Sequence, residues 1–435
     1  MNAIIKQRIE KIRHRENLTG YRRTRLGVIP AAWCLHPLSV VLTENKTRNR
    51  KGEYTRNDVL SVSGDCGVTN QIELLGRSFA GVSVADYHEV KYGDVVYTKS
   101  PLKANPYGII KQNKKRAGIV STLYAVYTPI DYETGTYIDY YFSNDSSVNN
   151  YLRPLVRKGT KNDMKINNED ALRGEIILPP QNERQKIVEI LECCDEVIRL
   201  KKELIAEKKK QKNALMQKLL DPDSGFRLPG FWGRWERYRL GDLGNTYTGL
   251  SGKKGEDFGN GFNYIPYLNI FSNPIVKIDF MDKVLIEKNE KQNTVKYGDV
   301  FFTTSSETPE EVGMSSVLLS ESPNTYLNSF CFGFRLNDFN ILLPHFAAYY
   351  FRGTHIRTLL NNLAQGATRH NLSKNNFLNS ELIIPPTIQE QRAIADILSA
   401  ADKEIDLLEQ ELVQQEKKKK SLMQLLLTGI VEVSA

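Results

Sequence analysis

The side chains in this sequence best suited to chemistry are small cationic, hydroxyl and amide groups, and they gather in loops. Lys158-Gly159-Thr160-Lys161-Asn162 and Thr368-Arg369-His370-Asn371 both mix small, cationic and amide residues. Arg matches the edge of a guanine and Asn that of an adenine, so these loops are candidate nucleic-acid contacts, with a solvent-facing turn as the alternative. Thr98-Lys99-Ser100 and Thr303-Thr304-Ser305-Ser306 put hydroxyl and amine donors at the ends of strand-like runs, where they can reach phosphates or base edges. Lys46, Arg48, Arg50 and Lys51 form a basic cluster, suited to positioning phosphates or simply to a solvated surface. In TGLSGKKGEDFGNG, which starts at Thr248, the residues Thr248, Ser251, Lys253 and Lys254 read as a mobile phosphate-contacting loop or an ordinary surface loop.

Other chemistries fail on spacing. Gly252-Lys253 lacks the upstream Gly and the following Ser or Thr of a nucleotide-binding P-loop. The LPPQ and IPPT sequences have Leu178 or Ile384 before the Pro pair and no aromatic after it, unlike the Asn/Asp-Pro-Pro-aromatic signature of amino-methyltransferases. The five cysteines contain no C-x-x-C pair and the six histidines lack ligand spacing, so neither a disulfide framework nor a metal site is expected. No catalytic residues and no cofactor are assigned to the chain.

The 435 residues, 40% hydrophobic and 25% charged, suffice for about two domains. A net charge of +8 suits a polyanionic partner, because spare Lys and Arg replace the counterions condensed on phosphates. No apolar run approaches the roughly 20 residues of a membrane span, and the beginning of the sequence lacks the apolar stretch of a secretory signal. The expectation is a cytoplasmic protein without a membrane partner.

An internal repeat organises the chain. EVKYGDVVYTKS from Glu89 returns as TVKYGDVFFTTS from Thr294. RKGTKNDMKINNEDALRGEIILPP, ending at Pro180, returns as AQGATRHNLSKNNFLNSELIIPP, ending at Pro386. ERQKIVEIL from Glu183 returns as EQRAIADIL from Glu390, and ALMQKLL from Ala214 as SLMQLLL from Ser421. The expected layout is a basic helical segment over 1–20, a mixed α/β domain over 21–181, a long helix over 182–222, a second α/β domain over 223–387 and a second long helix over 388–428. KYGDV reads as a tight turn. Thr387 and Glu390 have capping-box spacing, with Asn182 and Gln185 as the nearest equivalent in the first copy.

Both helices carry a seven-residue apolar repeat, the seam of a coiled coil: Ile187, Leu191, Cys194, Ile198, Ile205, Leu215 and Leu219, then Ile394, Leu398, Ala401, Ile405, Leu408, Leu412, Leu422 and Leu426. Lys201, Lys208, Lys212, Gln415 and Lys419 interrupt it. From Glu183 to Leu200 five acids outnumber three bases, whereas from Lys201 to Lys218 seven lysines outnumber two glutamates. The second helix repeats the trend, so antiparallel pairing would set acidic halves against basic halves. Complementing the helix dipole is the other cause of such a gradient.

A Gly-Thr or Gly-Ala-Thr loop, an apolar strand, Pro-Pro, an E-Q or E-R-Q helix start and a charged coiled coil, all occurring twice, resemble the specificity subunits of type I restriction-modification systems. YRRTRLGVIPAAW from Tyr21 and FRLPGFWGRWERYRLGDL from Phe226 look like the family's openings to its two target-recognition domains. The first helix departs from the pattern in starting with NERQ. The resemblance implies two DNA-reading domains related by an approximate two-fold axis, a gapped bipartite site on double-stranded DNA and an antiparallel coiled-coil spacer. It also implies two modification (methyltransferase) subunits as partners, with restriction subunits able to join, and these partners would bind the S-adenosylmethionine, ATP and Mg. The residues alone also admit a coiled-coil protein tether and, more remotely, a stand-alone nucleotide-binding enzyme.

Overall fold

The computed structural model describes residues 3–14, 16–102, 104–158, 164–366 and 369–433. The chain divides into two compact units, one formed by Met1–Leu200 with Leu412–Ala435 and the other by Lys201–Glu411.

In the first unit, β1 (Leu42–Glu44), β2 (Val95–Thr98), β3 (Ile110–Gln112) and β4 (Tyr124–Pro129) form an antiparallel sheet in the order β1-β4-β2-β3. All four side chains of β2, Val95-Val96-Tyr97-Thr98, are buried, as suits a β-branched and aromatic central strand covered on both faces. The helix α1 (Tyr132–Tyr141) starts at Asp131, whose carboxylate accepts the Thr134 N–H at 2.6 Å. A separate strand pair joins Cys34–Pro37 to Glu175–Leu178. The core gathers Trp33, Tyr97, Tyr127, Tyr137 and Ile176 with Ile187 and Leu191 from α2 (Gln181–Leu219).

The second unit repeats this plan. The strands β5 (Gly244–Thr248), β6 (Val300–Thr303), β7 (Ser315–Val317) and β8 (Cys331–Leu336) pair antiparallel in the order β5-β8-β6-β7. Glu236–Arg239 pairs with Glu381–Ile384 as the separate strand pair does in the first unit. Phe377 packs edge-on against Phe332 and Phe334 and tilted against Phe302, with centroids 4.8–5.5 Å apart. Leu219, with Ile394 and Leu398 from α3 (Ile388–Leu427), completes this core, while Leu422, Met423 and Leu426 of α3 pack into the core of the first unit.

Within each unit the long helices are joined by ion pairs, and in the second unit the paired residue numbers run in opposite senses. In the second unit Lys201 meets Glu411, Lys208 meets Glu404 at 2.6 Å and Lys212 meets Asp402; in the first, Lys419 meets Asp195. The lysines that interrupt the apolar repeat therefore have acidic partners. Leu215, assigned to the seam, is exposed, and the neighbouring Met216 packs on the core instead.

The KYGDV turns have one construction in both units. The Asp94 N–H donates to the Lys91 carbonyl and the Asp299 N–H to that of Lys296, with Gly93 at φ 92° and Gly298 at φ 83°. A positive φ at the third position of such a turn favours glycine. Each aspartate is buried and accepts the N–H of the first turn residue, from Lys91 at 2.9 Å and from Lys296 at 2.8 Å.

The helix starts differ from the capping-box expectation. The Thr387 hydroxyl accepts the Glu390 N–H at 3.3 Å, but the Glu390 carboxylate turns away to Arg227, 2.6 Å from its Nε. In the first copy the helix already begins at Gln181, so Asn182 lies inside it. Glu183 instead accepts the Trp33 indole N–H. Both glutamates thus tie the segment leading into their domain to the helix start. Arg184 and Gln391, one residue further on, donate to the carbonyls of Pro179 and Pro385 at 3.2 and 3.0 Å. The NERQ departure therefore leaves this local contact in place.

Candidate nucleic-acid interface

In the second unit two of the sequence candidates converge. Ser305 pairs with Asn371 and Ser306 with His370, and Ala364–Gln365 completes a three-stranded sheet. The Thr304 N–H donates to the Phe330 carbonyl and its carbonyl accepts the Leu372 N–H, both at 2.9 Å. Leu372 is buried and anchors the sheet, leaving Arg369 and Asn371 exposed and Thr304, Ser305 and His370 half-buried. The result is a ridge carrying a guanidinium, an amide, an imidazole and two hydroxyls. Thr368 and Ala367 lie outside the described residues.

In the first unit Lys46 and Lys99 line an open cleft of about 380 Å³ with Glu44 and the segment Ile166–Glu169. Burial pulls the Lys99 ammonium below its ordinary range while Glu44 opposes the shift. Lys46 lies 3.4 Å from Glu44 and 3.0 Å from Glu169, and hydrogen bonds to these carboxylates raise its pKa. Glu44 also accepts from Asn168 at 2.7 Å. The cleft is consequently a balanced charge network rather than a bare basic patch. Lys158 sits in a short strand paired with Met164–Lys165; Thr160 and Lys161 lie outside the described residues. Arg48 donates to the Asp86 carbonyl, while Arg50 and Lys51 are exposed.

Two assignments need correction. Thr98 is 3% exposed and its hydroxyl accepts the Ile109 N–H at 3.2 Å; Thr303 is equally committed, accepting from Met314 at 3.0 Å. These hydroxyls stabilise the sheet and are not presented to a ligand. The Gly-rich stretch is also not a free phosphate loop. Lys253 is bound to Glu290 at 2.5 Å, the Ser251 backbone exchanges two hydrogen bonds with the Gln292 amide, and Asn293 donates to the Thr248 carbonyl at 3.1 Å. The contact with Lys253, followed by that with Gln292, pushes the Glu290 carboxyl down to about 2. Phe258–Ile265 is a strand, and exposed Lys254 precedes it, its N–H donating to Asp257 at 2.7 Å.

One further grouping has no ligand-spacing signal in the sequence. Asp221, Asp223 and His355 bring three potential ligand atoms within 4.8 Å of one another, though exposed acidic groups often cluster without an ion.

A repeated mixed α/β unit presenting cationic and amide side chains beside one strand end suits a module that reads a polyanion. Residues 233–417 match the family described as type I restriction modification DNA specificity domain. It is similar to the MjaX type I restriction enzyme specificity subunit of Methanocaldococcus jannaschii, at 25% identity over 294 residues, 64% of this chain. That match likewise spans 64% of the relative's length. Among solved structures, the chain resembles one from a study of complex assembly and conformational transition in the type I R-M system. The identity is 19% and the TM-score 0.56, with 93% of this chain and 99% of the other covered. It also resembles the type I restriction-modification S subunit from M. genitalium, at 15% identity and TM-score 0.50, covering 93% and 97% of the two chains. At these identities the structural likeness bears on fold alone, and the mixed α/β architecture agrees with it.

Proposed function

We propose that the chain selects the DNA sequence for a type I restriction-modification complex, each unit reading one half of a gapped site. The observation carrying this reading is the duplication of the four-stranded sheet, with Lys99 and Thr304 following the corresponding central strands, in a chain that matches the specificity domain. Arg369 and Asn371 are the base-edge candidates in the second unit, and Lys46, Lys99 and the loop after Lys158 are those in the first. Arg50, Lys51 and Lys254 position phosphates.

The chain itself supplies no catalytic group. Two modification subunits carry S-adenosylmethionine and methylate adenine after flipping it out of the duplex. A restriction subunit with ATP and Mg can join. The long helices act as an antiparallel coiled-coil spacer, a role supported by the opposed sense of the Lys–Glu and Lys–Asp pairs.

The test is to map methylated positions in cells carrying this chain and its modification partner. The expected result is a single bipartite motif that disappears when Arg369 and Asn371 are both replaced by Ala. Methylation without a gapped motif would refute the reading, as would methyl transfer by the purified chain alone.

A further inference from the structure

Leu123 and Phe330 occupy one position of the repeat. In the first sheet Thr98 pairs with Tyr124 at the open end of β2 and β4, and in the second Thr303 pairs with Cys331 at the open end of β6 and β8. Leu123 and Phe330 are the next residues outward, opposite the segments that begin with Lys99 and Thr304. They are 63% and 58% exposed.

Both stand on the same kind of turn. The Tyr124 N–H donates to the Ser121 carbonyl at 3.0 Å and the Cys331 N–H to that of Asn328 at 3.1 Å. The Leu123 N–H donates to the Ser121 hydroxyl at 3.4 Å, and the Phe330 N–H to the Asn328 side-chain oxygen at 2.8 Å. In the second unit the turn is braced further. A Cβ on Gly249 would lie 2.0 Å from the Asn328 carbonyl, so only glycine allows that strand to run so close beside it. The Phe330 carbonyl meanwhile receives the Thr304 N–H at 2.9 Å. The backbone is held while the large apolar side chain is left outside.

We propose that Leu123 and Phe330 are wedges, each inserting between base pairs of the half-site its unit reads. The proposal rests on the DNA-reading function above. One exposed apolar side chain on a turn built by Ser121 in the first unit and Asn328 in the second is not by itself the contiguous patch of a protein interface. It matches the apolar side chains that proteins insert at base steps, where polar neighbours hold the backbone while the wedge unstacks one step. The two units need not favour the same step, because an aromatic ring can stack on the exposed base whereas a leucine can only separate the pair.

The experiment uses the full chain assembled with its modification subunit. Its probe is a duplex carrying the mapped target, with 2-aminopurine replacing adenines one at a time across both half-sites. Apart from the adenine that the modification subunit flips, the wild-type complex is expected to brighten the probe at one further step in each half. Phe330→Ala should abolish the signal in one half only and weaken target binding roughly 5- to 150-fold, the range for losing one stacked aromatic. Phe330→Trp should retain both properties. The salt dependence of binding should be unchanged in Phe330→Ala, because no phosphate contact is removed, whereas Lys254→Ala, which removes one, should flatten it. Leu123→Ala should quench the signal in the other half. Since both side chains are exposed, unchanged thermal melting of the variants serves as the folding control.

The inference is overturned if Phe330→Ala and Leu123→Ala bind and brighten the target like wild type. It is equally overturned if their DNA binding is intact but their hold on the modification subunit is lost. If the wild-type complex does not distinguish the target from a scrambled duplex, the proposed function fails as well. That outcome is separable because it appears before any substitution is made.

Discussion

Asp94 and Asp299 hold the same place in the two units, yet their neighbours differ in charge. Around Asp94 the Thr128 hydroxyl donates at 2.8 Å and the Asn45 amide makes a longer 3.4 Å contact. Around Asp299 the corresponding positions are Arg335, with Nε at 2.8 Å and Nη2 at 2.6 Å, and Tyr247, whose hydroxyl donates at 2.6 Å. The ion pair raises the Arg335 pKa, while burial, reinforced by Asp299, pushes the Tyr247 phenol up. Both units keep the carboxylate that accepts the first N–H of the turn. What surrounds it is free to differ, provided the buried charge finds partners.

The independence of the units gives the largest expected effect. Replacing residues 223–387 with those of a related specificity subunit should eliminate methylation of one original half-site and leave the other intact, read by methylation mapping. Altered sequence in both halves would mean that the units do not read separately.

The Asp299 site gives the next effect. Asp299→Ala leaves the Arg335 guanidinium and the Tyr247 hydroxyl without their shared acceptor, and should destabilise the second unit by about 3 kcal/mol in urea unfolding. Asp94→Ala strands only neutral donors and should cost about 1–2 kcal/mol in the first unit. Equal costs would show that the shared turn contact, and not the cation, dominates at both sites.

Transplanting the neighbour sharpens the contrast. Arg335→Thr gives the second unit the first unit's arrangement at that position and should cost less than Asp299→Ala, since Tyr247 and the Lys296 N–H still meet the carboxylate. Thermal melting of the two variants side by side provides the check.

The smallest effect concerns Glu290, which meets one lysine and one amide where the first unit's cleft sets Lys46 between Glu44 and Glu169. A carboxyl held down to about 2 contributes stability above the ordinary glutamate range near about 4.3, and that contribution is lost as pH falls from there towards 2. The Gly-rich segment should therefore stay docked through mild acid and loosen only at the low end of this window. An NMR titration of the Glu290 side-chain carbonyl would show a midpoint well below that of exposed glutamates, and Lys253→Ala should move it upwards.

Much of this architecture was legible from residues alone because its causes are local. The repeat, the tight KYGDV turns and the long helices follow from spacing, from glycine's access to positive φ and from heptad periodicity, none of which requires a distant partner. The apolar repeat was less specific: Ile187, Leu191, Leu219, Ile394, Leu398 and Leu426 are buried in the domain cores, and Leu215 faces solvent where Met216 packs. The polar candidates were harder to place. Thr98 resembled a free donor until Ile109 claimed its hydroxyl, and Lys253 a phosphate ligand until Glu290, far along the chain, took up its charge. Conversely, Leu123 and Phe330 carried no sequence signal, because an exposed apolar residue is ordinary in itself and gains meaning only from its position at a sheet corner. Composition and period determine which elements form, since those preferences reside in neighbouring residues. Which polar atoms remain unspent is decided by tertiary structure, because a hydrogen-bond donor or a charge is satisfied by whatever the fold brings within about 3 Å of it.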